Sequence, residues 1–289
     1  FLRDIGKHFS VNQMLAKDSV ANRLATAGIS YTEFSYQVLQ AFDYLELYRR
    51  NDCKLQIGGS DQWGNIVAGL DLIRKVEGGS AHALTVPLLA KSDGSKFGKT
   101  ASGAIWLDAT MTSAYEFFQF WLNSDDADMP KLLKVFSMKD RKEIERLIET
   151  VNTNPGAREA HRELAREMTT LIHGADMAKK VEEAAKALFG QGEISELDLA
   201  TLDSALSQLP KTQVKKGDPF PTWVDLLAAT GVVDSKSAAR RIVKEGGAYL
   251  NNKKVENEDF TPSKFDLLHG KYLLLRKGKR DLAAVEVAG

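Results

Sequence analysis

The chain has 289 residues, 43% hydrophobic and 27% charged, and its 39 basic and 39 acidic side chains give a formal net charge of zero. This composition excludes a wholly disordered chain and predicts two or three domains with buried cores. A single cysteine excludes an internal disulfide, five scattered histidines form no metal-ligand pattern, and no apolar run reaches the length of a membrane span or signal peptide. We therefore expect a soluble, cytoplasmic protein.

The first strongly patterned segment predicts a helix from Phe34 to Tyr48. Its apolar residues indicate a buried helix, and they include Val38, Leu39, Phe42, Leu45 and Leu47. Tyr36, Gln40 and Asp43 follow each other at i, i+4 and i+7, so they share one face. Buried polar groups must be hydrogen-bonded, so these three bind either each other or a polar ligand.

The next segment predicts a strand, a glycine turn and a helix. A short apolar run from Leu55 meets Gly58 and Gly59, and a helical pattern follows Asp61. Paired glycines let a ligand approach the backbone closely, and an acid just after such a turn suits a ribose hydroxyl. The alternative is a tight turn with a structural role only.

A lysine pair lies downstream in Lys96-Phe97-Gly98-Lys99-Thr100, after the apolar run from Leu84 to Leu89. Two ammonium groups three positions apart on a glycine-flanked loop suit a polyphosphate. A solvated surface turn is the alternative.

Residues 110–209 read as an all-helical module with 12 basic and 18 acidic side chains. The cluster Phe117, Phe118, Phe120 and Trp121 predicts core packing. A stripe of arginines at four-residue spacing either contacts RNA or pairs with the glutamates that follow each of them, the arginines being Arg158, Arg162 and Arg166. Residues 210–221 contain three prolines and no apolar periodicity, which predicts a linker.

The C-terminal residues predict a small α+β module. Helices begin at Trp223 and after a serine cap at Ser235, a hairpin covers 246–255, and a last strand and basic turn cover 272–280. Residues 211–289 carry 15 basic and 10 acidic side chains. Such an excess indicates either contact with RNA phosphates or a merely solvated surface, and the candidate RNA-binding residues are Lys236, Arg240, Arg241, Lys244, Lys253 and Lys254.

In this order, the polar helix, the glycine corner and the lysine loop resemble the motifs of bacterial tyrosyl-tRNA synthetase, a class I family, and the resemblance runs the length of the chain. It implies an α/β fold, part of a Rossmann-like nucleotide-binding domain, followed by an all-helical domain and an RNA-binding module of the alpha-L type. The expected boundaries are 1–109 for the C-terminal part of the catalytic domain, 110–209 for the helical anticodon-binding domain, 210–221 for the linker and 222–289 for the C-terminal module.

The resemblance also implies the roles of individual residues. Asp43 accepts a hydrogen bond from the substrate phenol, Tyr36 and Gln40 hold the α-amino group, and Gln62 lies near the carboxylate. ATP contacts come from Gly59, Asp61, Leu88, Leu89, Lys96 and Lys99. Lys96, Lys99 and Thr100 grip the departing pyrophosphate.

The implied reaction is ATP-dependent activation of tyrosine to tyrosyl-adenylate, followed by transfer to the 3′ end of tRNA(Tyr). Mg²⁺ would accompany ATP without a protein-bound metal. The family is a homodimer, and the candidate interface residues are Phe1, Leu2, Val11 and Tyr31. Burial within one subunit is the alternative for these four.

One departure from the family pattern is the missing His-x-Gly-His signature of class I synthetases. The chain also opens at Phe1 in what reads as the middle of a domain. We expect an incomplete, C-terminal portion of a longer enzyme. A non-catalytic RNA-binding protein derived from a synthetase remains an alternative, and so does a tryptophanyl-tRNA synthetase, which gives no reason for Asp43 on a phenol-binding face.

Overall fold

The computed structural model describes residues 1–95, 97–100, 103–215, 220–279 and 281–288. They divide into two units, Phe1–Phe97 (unit 1) and Gly98–Gly289 (unit 2). Each unit has a hydrophobic core of its own. Within the described ranges, no helix combines the length and the apolar character that crossing a membrane requires.

Unit 1 is built on two long helices. Its helices are α1 (Val11–Leu15), α2 (Asp18–Leu24), α3 (Tyr31–Asn51) and α4 (Trp63–Glu77). Ser30 and Glu33 form a capping box at the start of α3, and the helix ends where Asp52 adopts a left-handed conformation. The contact between α3 and α4 forms the core of the unit, with Tyr44, Leu45, Ile66, Leu72 and Ile73 buried in it.

The sheet of unit 1 pairs β1 (Leu55–Gly59) with β2 (His82–Val86) in parallel, and α4 connects the two strands. The register places Gly59 opposite Val86, so both carboxyl ends lie at one edge. The Tyr44 hydroxyl donates to the His82 carbonyl oxygen over 2.8 Å, which fixes α3 against β2. This strand–helix–strand arrangement is the Rossmann-like element that the sequence predicted.

Unit 2 begins with a short antiparallel pair, β3 (Lys99–Thr100) and β4 (Gly103–Ala104). Of the predicted aromatic core cluster, Phe117, Phe118 and Trp121 are buried and Phe120 is half-buried. The helical region that follows comprises α5 (Ala114–Leu122), α6 (Met129–Phe136), α7 (Arg141–Thr153), α8 (Glu159–His173), α9 (Ala175–Leu188) and α10 (Leu199–Ser207).

The C-terminal part of unit 2 packs two helices on a mixed sheet. Its elements are β5 (Lys211–Lys215), α11 (Trp223–Ala229), α12 (Lys236–Lys244), β6 (Ala248–Leu250), β7 (Lys253–Lys254), β8 (Tyr272–Lys277) and β9 (Asp281–Ala288). The sheet order is β5-β9-β8-β6-β7. Ser235 caps α12 and β6 pairs with β7 as a hairpin, as the sequence predicted.

The structure corrects one part of the predicted linker. Lys211–Lys215 forms β5, which pairs in parallel with β9 from Ala284 to Ala288. The strand was missed because only Val214 among its five residues is strongly apolar, and an edge strand needs backbone pairing more than side-chain burial. Strand β9 had no prediction at all.

Side chains of the C-terminal part bind the helical region directly. Asn252 Nδ2 donates to the Ala187 carbonyl oxygen over 2.6 Å, and His269 Nε2 donates to the Leu197 carbonyl oxygen over 2.7 Å. The Tyr272 hydroxyl donates to the Asp203 carboxylate. These contacts fix the C-terminal sheet against α9 and α10, so the two regions belong to one unit.

Candidate functional site

The glycine corner brings three predicted ATP-binding residues into contact. A Cβ added at Gly59 would lie 2.6 Å from Asp61 Oδ1 and 2.9 Å from Leu88 Cδ2. Both distances are too short for a real Cβ, so glycine is what allows Asp61 and Leu88 to approach the backbone here. Leu89 follows, half-buried, and the corner stands at the carboxyl edge of β1 and β2, where α/β folds bind ligands.

An open cavity of about 450 Å³ joins the polar helix to this corner. Tyr36 of α3 lines it together with Asp61 and Gln62. Gln62 Nε2 donates to Asp61 Oδ2 over 3.0 Å, and Asn65 Nδ2 donates to Gln62 Oε1 over 3.2 Å, so the floor is a connected polar network. Two of the predicted motifs therefore meet in one cavity.

Gln40 is half-buried, and its Oε1 atom is buried without a hydrogen-bond partner among the described residues. A buried acceptor left unsatisfied costs about 1–3 kcal/mol. Gln40 is not among the residues that line the cavity, unlike Tyr36 on the same face of α3.

The expectation of a buried polar helix face is wrong. Tyr36, Asp43, Leu39 and Leu47 are all exposed on α3. At about 100° per residue, the polar stripe lies well away from the face that is buried, because that face is centred on Ala41 and Tyr44. Asp43 is therefore solvated and is not among the residues that line the cavity.

Several residues that line the cavity had no predicted role in the site, among them Lys17, Arg23, Glu33, Gln37 and Asn65. Lys17 Nζ donates to the Gly64 carbonyl oxygen over 2.7 Å, and burial lowers its pKa against the opposing charge of Asp71. Arg23 pairs with Glu33 at 2.9 Å.

Gln37 is 4% exposed, and its Oε1 also lacks a partner among the described residues. Gln37 follows Tyr36 directly. A lone glutamine on the inward face of a helix was the one sequence feature that could have predicted it as a site residue.

The lysine loop is only partly described. Lys96 lies outside the described residues, as do the side chains of Lys99 and Thr100. The backbone of these last two residues forms β3, with Lys99 opposite Ala104 and Thr100 opposite Gly103. The catalytic roles given to the three residues stay predictions.

The six candidate RNA-binding residues are all exposed on α12 and β7 of unit 2. On α12, Lys236 pairs with Asp225 at 2.6 Å, and Lys244 and Arg240 both approach Glu258, at 3.2 and 3.9 Å. Arg241 lies 3.7 Å from Glu245. Lys253 and Lys254 have no ion pair within the described ranges, so the hairpin carries the least neutralised charge of the patch.

The arginine stripe of α8 is occupied by contacts within unit 2. Arg158 donates to the carbonyl oxygens of Leu122 and Ser124, and Arg166 pairs with Glu163 and Glu182. Ion pairing was the alternative to RNA contact, and it is what the structure shows for Arg166. Its main partner is Glu182 on α9 and not the glutamate that follows it in sequence.

The four candidate interface residues, Phe1, Leu2, Val11 and Tyr31, are exposed, so burial within one subunit does not describe them. The described residues hold no group of three or more histidine, cysteine, aspartate or glutamate side chains placed to bind a metal.

Two family models match successive parts of the chain. The family model described as "tRNA synthetases class I (W and Y)" matches residues 1–190, and "Tyrosine--tRNA ligase SYY-like C-terminal domain" matches residues 201–285. The tyrosine–tRNA ligase of Streptomyces avermitilis is 60% identical over 291 residues, which cover 100% of this chain and 68% of the relative. That of Thermobifida fusca is 57% identical over 289 residues, with 98% and 67% covered.

A solved structure, the C-terminally truncated mitochondrial tyrosyl-tRNA synthetase of Aspergillus nidulans, is 35% identical with a TM-score of 0.55 over 65% of this chain and 54% of that one. Both family matches and the identity of the relatives agree with the motifs at the corner of unit 1. The chain belongs to the class I tyrosine–tRNA ligases, the enzymes that join tyrosine to tRNA.

Proposed function

We propose that unit 1 binds tyrosine and ATP side by side at the carboxyl edge of β1 and β2 and supports formation of tyrosyl-adenylate. The observation that carries this proposal is the single cavity lined by Tyr36, Asp61 and Gln62. Tyrosine would lie towards α3 and ATP towards Gly59 and Leu88. The amino-acid carboxylate attacks the α-phosphorus directly, so positioning and charge stabilisation are the work of the site.

On the tyrosine side, the α-amino group would donate to Gln40 Oε1 and the Tyr36 hydroxyl. Gln62 would lie near the carboxylate, held in place by its hydrogen bonds to Asp61 and Asn65. Asp43 would accept the phenol hydrogen bond. Because Asp43 is solvated in the free chain, its selectivity depends on the bound ring displacing that water.

On the ATP side, Asp61 would accept from the ribose hydroxyls beside Gly59, and Leu88 and Leu89 would contact the adenine. Lys96, Lys99 and Thr100 would stabilise the negative charge that develops on pyrophosphate. Mg²⁺ would arrive with ATP, held by phosphate oxygens, because Mg²⁺ usually binds through substrate phosphates and water.

For the second step, we propose that the basic patch of unit 2 contacts the tRNA backbone through Lys236, Arg240, Arg241, Lys244, Lys253 and Lys254. A homodimer joined near Phe1, Leu2, Val11 and Tyr31, and a cytoplasmic location, complete the proposal. The exposed apolar side chains at these four positions support the dimer.

ATP–pyrophosphate exchange tests the proposal against its alternatives. We expect exchange that depends on tyrosine and is far weaker with phenylalanine or tryptophan. Exchange driven by tryptophan would favour the tryptophanyl alternative. Binding of tRNA(Tyr) without exchange, in this chain and in the same chain extended to the length of its relatives, would favour the non-catalytic RNA-binding protein.

A further inference from the structure

Phe265 stands on a single 3-10 turn, Lys264–Asp266, in the C-terminal part of unit 2. Its side chain is 87% exposed, the highest value among the large hydrophobic side chains that the structure describes. One exposed apolar residue is ordinary on a protein surface. The surroundings of this one make it a candidate binding residue.

The turn that carries Phe265 is held rigidly. Ser263 donates to Asp266 Oδ2 from both its backbone nitrogen and its hydroxyl, each over 2.8 Å. Asn251 Nδ2 donates to the Asp266 carbonyl oxygen over 2.6 Å, and Asn251 Oδ1 accepts from the Leu274 nitrogen over 2.8 Å. The ring is thus presented from a turn tied to the β6–β7 hairpin and to β8, so little backbone entropy is lost when a ligand binds it.

One ammonium group lies beside the ring, and two more stand on the hairpin to which the turn is hydrogen-bonded. Lys264 Nζ lies 5.2 Å from the ring centroid, and the tied hairpin carries the exposed Lys253 and Lys254. The nearby carboxylate of Asp266 is already engaged by Ser263. An aromatic face beside ammonium groups matches a ligand that has both flat bases and phosphates.

We propose that Phe265 is a stacking platform for an unpaired nucleobase of the bound tRNA, with Lys253, Lys254 and Lys264 holding the neighbouring phosphates. This inference rests on the proposed tRNA binding by unit 2. RNA is recognised largely through unstacked bases in loops, bulges and ends, and stacking on an aromatic ring tolerates any base. A protein partner is less well matched, because charged side chains border the ring.

The stacking role of Phe265 is tested by measuring Kd for an unmodified tRNA(Tyr) transcript and the full chain at several salt concentrations. The variants are Phe265→Leu, which keeps apolar character without a ring, Phe265→Trp, which keeps the ring, and Lys253→Ala. We expect Phe265→Leu to raise Kd by about 5- to 100-fold without changing the salt dependence, whereas Phe265→Trp binds like the unaltered chain. Lys253→Ala should reduce the slope of log Kd against log salt by about one.

A blunt-ended RNA duplex of two fully paired strands is the control ligand, and Phe265→Leu should bind it as tightly as the unaltered chain does. Equal tRNA affinity of Phe265→Leu and the unaltered chain would overturn the stacking role and leave tRNA binding in place. A change of oligomeric state in Phe265→Leu with unchanged tRNA affinity would assign the ring to a protein contact instead. If the unaltered chain does not bind tRNA, both the platform and the proposed RNA binding fail.

Discussion

The sheet of unit 1 and the C-terminal sheet of unit 2 differ in how completely they are covered. In unit 1, the outward side chains of β1 and β2 are exposed and, apart from His82, apolar, with Ile57 at 67%, while the inward side packs on α3 and α4. In unit 2, β8 is buried along Tyr272, Leu273, Leu274 and Leu275. The sheet of unit 1, with one face exposed (the open sheet), has an edge that a ligand can reach. The buried sheet of unit 2 forms a rigid support for the charged side chains on its surface.

This difference separates the effects expected of substitutions. In unit 1, the groups at the corner of the sheet are accessible and face a cavity, so changes there should alter binding and association. In the helical and C-terminal regions of unit 2, many side chains already have partners, so changes there should alter stability. Four predictions test this contrast, from the largest effect to the smallest.

Gly59→Ala should reduce tyrosine-dependent ATP–pyrophosphate exchange by about 100-fold, the scale expected when reacting groups move by roughly 1 Å. The added Cβ would displace the Asp61 carboxylate and the Leu88 side chain, which are 2.6 and 2.9 Å from its position. The loss should appear mainly in kcat/KM for ATP. Gly64→Ala is the matched control, because its Cβ would meet only Lys17 at 3.6 Å. Equal activity of the two variants would contradict the claim that close approach of Asp61 and Leu88 to Gly59 is needed for activity.

Glu182→Gln should destabilise unit 2 by about 2 kcal/mol, because Glu182 joins α8 and α9 through charge-assisted hydrogen bonds to Arg166 Nε and Nη2, each 2.8 Å. Its side chain is 13% exposed, and Arg166 holds the pKa of Glu182 at about 2, below the ordinary 4.5. The stabilisation is present above pH 4.5 and is lost as the pH falls towards 2.

Urea unfolding at several pH values measures this effect. Glu183→Gln is the control, since Glu183 is 56% exposed and lies 4.0 Å from Lys179. A stability loss in Glu183→Gln as large as that in Glu182→Gln would show that the hydrogen bonds between Arg166 and Glu182 add no specific stabilisation.

His161→Gln should remove a pH dependence of stability that is smaller than the one due to Glu182. His161 is 1% exposed on α8, and burial, helped by the charge of Arg158, lowers its pKa below 6.5. The neutral form is favoured on folding, so the stabilisation is complete above pH 6.5 and is lost as the pH falls through the lowered pKa. Thermal unfolding between pH 5 and pH 8 should show a steeper decline below pH 6.5 for the unaltered chain than for His161→Gln. His82→Gln, at an exposed position, should retain the steep decline.

Ile57→Thr should change the free energy of unfolding by no more than about 0.5 kcal/mol, because the side chain is exposed. Its effect should be on association, since exposed apolar patches on a sheet promote contact between molecules. Sedimentation velocity should show less concentration-dependent association for Ile57→Thr than for Leu171→Gln, an exposed apolar position in unit 2. Unchanged association in Ile57→Thr would mean that the open sheet face is inert.

Local sequence patterns predicted much of the fold. A serine cap placed the start of α12, and the glycine pair placed the corner after β1. Helix α3 begins at Tyr31 after its cap Ser30, three residues before the predicted start at Phe34. Periodicity failed where burial depends on distant partners. It treated α3 as buried all round, although Leu39 and Leu47 are exposed. It missed β5 because β5 is held by backbone pairing with β9.

The candidate site was only partly predictable for the same reason. Residues close in sequence to a glycine turn, such as Asp61 and Gln62, were found. Arg23 lies on α2 and Lys17 directly precedes that helix, far upstream of the corner. Arg23 pairs with Glu33 of α3 and Lys17 donates to Gly64 of α4, and neither contact follows from a local sequence pattern. The ion pairs that partly neutralise α12 also lie outside any local pattern, because Glu258 is distant in sequence.

The central claim is that the polar stripe of α3 selects tyrosine for activation at the adjacent corner. The most direct test is the ratio of kcat/KM for tyrosine to that for phenylalanine in ATP–pyrophosphate exchange, compared between Asp43→Asn and Glu46→Gln, a control on the same helix that pairs with Arg49 and Arg50. We expect Asp43→Asn to lower this ratio by about 10- to 100-fold, the value of a hydrogen bond to a charged group, and Glu46→Gln to leave it unchanged. An unchanged ratio in Asp43→Asn would contradict the claim.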